Sequence, residues 1–89
     1  MHALVFQASL KPGFSPSDQD RELDGLVAFM KTVPGFVRGT WAASGQNAMS
    51  FLVFDSEEAA LRVAANAKVP ADATIEFRSS NVYEIARDV

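Results

Sequence analysis

Apolar positions recur along this chain with two different periods. From Ala3 to Ser9 they form a nearly continuous run with aromatic and β-branched members, halted by Lys11-Pro12-Gly13, which is the pattern of a strand. Ser15-Pro16 then supplies a hydroxyl N-cap and a proline at the first helical position, with Asp18 and Asp20 near the positive end of the helix dipole. Leu23, Leu26, Val27, Met30 and Val33 recur at three and four residues while Asp20, Arg21, Asp24 and Lys31 are left for solvent, so a helix is predicted to about Thr32. Val33-Pro34-Gly35-Phe36 ends it, because proline followed by glycine does not continue a helix. The run Phe36-Val37-Arg38-Gly39-Thr40-Trp41-Ala42 is a second strand, ending near Ala43, in which Gly39 predicts a bulge or a close approach of backbone. Ser44-Gly45-Gln46-Asn47 is a turn cluster and Met49 to Phe54 a third strand, so these two strands form a hairpin. Asp55-Ser56-Glu57-Glu58 carries a capping box with Asp55 as the cap and Ser56 as the alternative, opening an alanine-rich helix through Asn66. Beyond Val69-Pro70-Ala71-Asp72, the segment Thr74 to Ile85 reads as a fourth strand, long enough to outreach its own sheet.

Two βαβ units joined by a hairpin predict an α+β fold, the ferredoxin-like βαββαβ arrangement with a four-stranded antiparallel sheet in order 4-1-3-2. Two short helices cover one face. The other face should then be polar, yet strand one places Leu4 and Phe6 on one side and Val5 and Gln7 on the other, and strand three sets Phe51 and Val53 against Leu52 and Phe54. Both faces read as buried, so a second copy of the sheet is the expected cover and the expected assembly is a homodimeric α/β barrel. On this reading Gln7 hydrogen-bonds across the dimer.

Length and composition narrow the function. The 89 residues are expected to form one domain, 1–89, and a hydrophobic fraction of 48% with nine aromatic residues exceeds what one small core uses, so some aromatics are expected to line a cavity or meet a partner. Eleven acidic against eight basic residues leave no basic stripe for a phosphate backbone, which argues against nucleic acid. No cysteine is present, the one histidine is His2, and no phosphate-cradling glycine loop occurs, so neither a cofactor nor a metal is expected. No apolar run approaches the roughly 20 residues that span a bilayer and Met1-His2-Ala3-Leu4 lacks a basic leader, so no membrane association and a cytoplasmic location are expected.

Lys11-Pro12-Gly13 after strand one, Pro34-Gly35-Phe36 before strand two, and Phe54-Asp55-Ser56-Glu57-Glu58-Ala59 from strand three into helix two resemble the dimeric α+β barrel superfamily and, within it, the antibiotic-biosynthesis-monooxygenase-like (ABM) family. The resemblance covers nearly all of the chain. It implies an activity within a range from cofactor-independent oxygenases of aromatic polyketides, through haem-degrading enzymes, to proteins without assigned activity. The haem-degrading branch uses an asparagine on strand one, a tryptophan in helix two and a histidine just beyond it. Here Phe6 stands near the first position and Val63 near the second, and no histidine follows His2, so the resemblance points away from haem degradation.

The expected function is that of a small cofactor-independent monooxygenase-like protein acting on an aromatic or polyketide-like metabolite; the alternative is a non-catalytic, ligand-binding or stress-associated homodimer. An oxygenase of this kind needs an apolar slot that desolvates an electron-rich phenol and a polar group that takes its proton or stabilises the anion. Phe6, Phe29, Trp41 and Phe54 are the candidate walls for a small apolar aromatic ligand, and Arg38, Asn81 and Tyr83 the candidate polar end. Each aromatic has a competing reading as core or dimer packing, and Arg38 one as an edge-strand charge. Trp41 stands out because its indole N–H requires an acceptor.

Overall fold

Six elements follow in the order β1 (His2–Leu10), α1 (Pro16–Met30), β2 (Phe36–Ser44), β3 (Asn47–Phe54), α2 (Glu57–Asn66) and β4 (Ile75–Glu84) in the computed structural model, which describes residues 1–89. The strands make one antiparallel sheet in order β2-β3-β1-β4, the expected ferredoxin-like arrangement counted from the opposite edge. No helix is long and apolar enough to cross a membrane.

Local chemistry fixes where the helices start. The Ser15 hydroxyl accepts from the Asp18 backbone N–H at 3.1 Å, and the Asp18 carboxylate accepts from the Ser15 N–H at 3.2 Å, a reciprocal box at the head of α1. The backbone bond from Ser15, followed by its hydroxyl, holds the Asp18 carboxyl below the ordinary aspartate range. Stability from this ionised cap is therefore present at neutral pH and is lost as pH falls through the lowered value. In α2 the cap is Ser56, whose hydroxyl accepts from the Ala59 N–H at 3.1 Å, and not Asp55. Asp55 is engaged elsewhere: its N–H donates to the Gly35 carbonyl at 2.9 Å. A Cβ at Gly35 would lie 2.8 Å from Asp55 Oδ1 and 2.8 Å from the Ala59 Cβ, and Gly35 has φ +85°. Only glycine fits there, which is the physical content of the Pro34-Gly35 switch between α1 and β2.

Two strand expectations change. The irregularity in β2 falls at Val37, between Phe36 paired with Phe54 and Arg38 paired with Val53. Gly39 accommodates a ring, since a Cβ there would sit 2.9 Å from Cη2 of Trp41. Nor does β4 overhang the sheet. It pairs with β1 from Glu84 opposite His2 to Ile75 opposite Leu10, and its extra residue, Arg78, is absorbed by a bulge between Gln7 and Ala8.

The core joins Leu4, Leu52 and Phe54 of the sheet to Ala59 and Ala60 of α2 and to Met30 at the end of α1. The alanines let α2 lie close to the sheet. The first helix stands further off, with Met30 its one buried residue and Leu23, Leu26 and Phe29 all exposed. The opposite sheet face is less bare than the alternation implied. Ile85 N–H donates to the Met1 carbonyl at 3.0 Å, and Arg38 Nη2 donates to both carboxylate oxygens of Asp88, at 2.9 and 2.8 Å. The segment 85–88 therefore crosses this face from β4 to β2, over Ala3 and Val53, which are 1% and 0% exposed. At that end the chain's own tail provides the cover expected from a second copy. Gln7, further along, is exposed within this chain.

Candidate functional site

The stand-off of α1 leaves a cavity between helices and sheet. It has a larger compartment of about 550 Å³ and a smaller one of about 250 Å³, which share Phe6, Glu22, Leu26, Ser50 and Ile75 as common wall. Leu4, Phe6, Ser50 and Leu52 form the sheet side of the larger compartment, Leu26, Phe29 and Met30 the α1 side, and Val63 with Ala67 to Pro70 the α2 side. Hydrocarbon dominates both linings, so a bound ring system would meet mainly apolar surface while one side stays open to solvent.

Three polar groups stand out against this wall. Glu22 is held in place because its Oε2 accepts from the Thr74 backbone N–H at 2.8 Å. Ser50 is buried and lies between Trp41 and Phe6 in the cross-strand register, so all three side chains face the helices. The Trp41 indole Nε1–H is buried with no acceptor in the protein. An orphaned buried donor costs about 1–3 kcal/mol, and this one belongs to a residue that lines the smaller compartment.

Of the residues chosen from sequence, the cavity takes Phe6, which lines both compartments, Phe29, which lines the larger, and Trp41. The other four lie elsewhere. Phe54 is fully buried in the core, its ring edge-on to Phe36 at 5.8 Å. Arg38 sits three residues before Trp41 and so points to the opposite sheet face, where Asp88 binds it. Asn81 opposes Val5 and Tyr83 opposes Ala3, which puts both on that same far face. The sequence pattern alone does not mark Glu22 or Ser50 as site residues, although each carries a signal. Glu22 stands four residues before Leu26 on the apolar stripe of α1, and Ser50 is the hydroxyl in an alternating row with Leu52 and Phe54.

No protein-family model matches the chain, and neither does any curated protein sequence. Solved structures do. A point mutant of SnoaB, a cofactor-independent oxygenase from Streptomyces nogalater, superposes with a TM-score of 0.73 at 16% identity, covering 99% of this chain and 95% of that one. The haem-degrading protein Rv3592 (MhuD) of Mycobacterium tuberculosis matches in a haem-free structure with a TM-score of 0.65 at 17% identity, and with two haems in its active site at 0.62 and 19%. Both matches cover 100% of this chain and 99% of the other. The chain shares the ferredoxin-like α+β fold of these proteins. At these identities the likeness carries the fold and leaves the reaction to be argued from the cavity.

No histidine, cysteine or tyrosine lines either compartment to ligate a haem iron, and Phe6 and Val63 present only hydrocarbon to it. His2 lies outside the cavity, with Nε2 3.5 Å from the Glu57 carboxylate.

Proposed function

We propose that this chain is a small cofactor-independent monooxygenase-like enzyme whose substrate, an aromatic or polyketide-like phenol, binds in the cavity under α1. The observation that carries this reading is a fixed carboxylate, Glu22, sharing an apolar compartment with a buried indole donor that has no acceptor. In such a site Glu22 takes a proton from the substrate, and Trp41 Nε1–H and the Ser50 hydroxyl stabilise the resulting oxyanion. The electron-rich anion reduces dioxygen itself. One oxygen atom bonds to the ring carbon and, as the O–O bond breaks, stays as a carbonyl; the other leaves as water, so a ring CH₂ and O₂ become C=O and H₂O. Oxygen uptake with an anthrone tests this: one O₂ is expected per anthraquinone formed, with no added flavin, haem or metal. Uptake no faster than in buffer would reject the oxygenase and leave a ligand-binding protein.

We also propose a homodimer formed through the far sheet face, beyond the reach of the tail. Val5 and Phe51 are half-buried there and Met49 is 38% exposed, an apolar surface that a second copy would cover. Sedimentation velocity at low micromolar concentration should give twice the 9.6 kDa chain mass. A stable monomer there would overturn it.

A further inference from the structure

The larger compartment is polarised. Its lining is hydrocarbon except at a few positions, and the charges among them separate by wall: Glu22 comes from α1, whereas Arg62 and Lys68 come from α2 and the segment after it. This is a cationic border in a chain with net charge −3. The two cations differ in availability. Arg62 Nη2 already donates to Glu58 Oε1 at 2.9 Å, across one helical turn. Lys68 lines the compartment, is exposed, and has neither a hydrogen bond nor an ion pair, so its ammonium is free to meet a ligand. Asn66, on the same wall, uses its amide to donate to the Arg62 carbonyl at 2.8 Å, which fixes the end of α2 beside Lys68.

We infer that the cavity selects an elongated aromatic anion, with its rings on Phe6 and Leu26 and an ionised carboxylate at the rim beside Lys68 and Arg62. Glu22 enforces the direction. A carboxylate turned toward α1 would meet a like charge in an apolar compartment, whereas the same group at the α2 rim meets the unpaired Lys68, with Arg62 beside it in its pair with Glu58, and keeps part of its hydration. The end of the ligand near Glu22 and Trp41 is then the weakly acidic hydroxyl end, the one that has a proton to give. The inference rests on reading this cavity as the substrate site, and it adds a charge requirement that the oxygenase reading alone does not contain.

The test uses two fluorescent probes of one shape, 9-anthracenecarboxylate and 9-anthracenemethanol, with binding read from probe anisotropy on the full chain at low ionic strength. Hydration of the free carboxylate opposes its entry into an apolar cavity, so a preference for the acid must come from charge on the protein. The acid is expected to bind about tenfold more tightly than the alcohol, with the gap shrinking as salt is added. In the double variant Lys68→Gln with Arg62→Gln the ratio of acid to alcohol affinity should fall to about one, and Lys68→Arg should retain the preference. Equal affinity for both probes, or an acid preference undiminished in the double variant, overturns the inference. Neither probe needs dioxygen. Acid-selective binding by a chain that consumes no oxygen would therefore reject the oxygenase and leave this inference standing, and oxygen uptake without acid preference would do the reverse.

Discussion

Glu22→Gln is expected to slow oxygen-dependent turnover by about 10²- to 10⁴-fold, the usual range for loss of a positioned general base. The substitution isolates the proton-accepting role. Glutamine has the shape of glutamate, and its carbonyl oxygen accepts the same bond that Thr74 N–H now donates at 2.8 Å, so the seam between α1 and β4 is retained. The cavity keeps its volume, and a neutral aromatic ligand should bind within about twofold of wild type, because most of its affinity comes from hydrocarbon contact. A large fall in kcat with KM nearly unchanged is therefore the expected signature. Turnover within a few-fold of wild type would remove Glu22 from the chemistry and leave it as a structural tie to Thr74. Trp41→Phe separates the other half of the site, since it deletes the indole N–H and keeps an aromatic ring over Gly39.

Much of the fold was legible because the chain punctuates itself with residues that have few conformational options. Pro16 behind Ser15 opens α1, Pro34-Gly35 closes the passage into β2, and the run from Phe36 to Trp41 has the branched and aromatic character of a strand. Which of two adjacent caps is used was less legible, because Asp55 and Ser56 both have the chemistry. The choice depends on Gly35, twenty positions earlier, whose carbonyl takes the Asp55 N–H. The two bulges, at Val37 and Arg78, were equally hidden. A bulge depends on what the neighbouring strand offers, and sequence pattern alone does not give that register.

The candidate site divides along the same line. Phe6, Phe29 and Trp41 reach the cavity because each lies on a surface facing the gap under α1, and Arg38, three residues from Trp41, is excluded by the pleat alone. Asn81 and Tyr83 needed the register against β1. Glu22 was lost for another reason: a carboxylate on a helix otherwise laced with Asp20, Arg21 and Asp24 looks solvated until Thr74, some fifty residues away, supplies the donor that turns it inward. The segment 85–88 was the least predictable feature, since the bifurcated bond from Arg38 Nη2 to Asp88 spans 50 positions and leaves no local periodicity.

Phe54 and Phe29 make the distinction between core and cavity measurable. Phe54 has no exposed surface, packs edge-on against Phe36, and joins Leu4, Leu52 and Ala60 in the core under α2. Phe54→Ala is expected to cost about 3–5 kcal/mol, by lost transfer energy and the void left behind. A chain of 89 residues has in total on the order of 4–13 kcal/mol of stability, so the variant should melt far below wild type or fail to fold at ambient temperature. Phe29, on the larger compartment, is 63% exposed, and removing it opens an existing space without creating a new one. Phe29→Ala should therefore shift stability by less than about 1 kcal/mol while weakening an aromatic ligand by about 1–3 kcal/mol. Circular dichroism melts and probe titrations of the two variants are sufficient. A Phe54→Ala protein that melts like wild type but no longer binds the probe would return Phe54 to the cavity wall and place the core elsewhere.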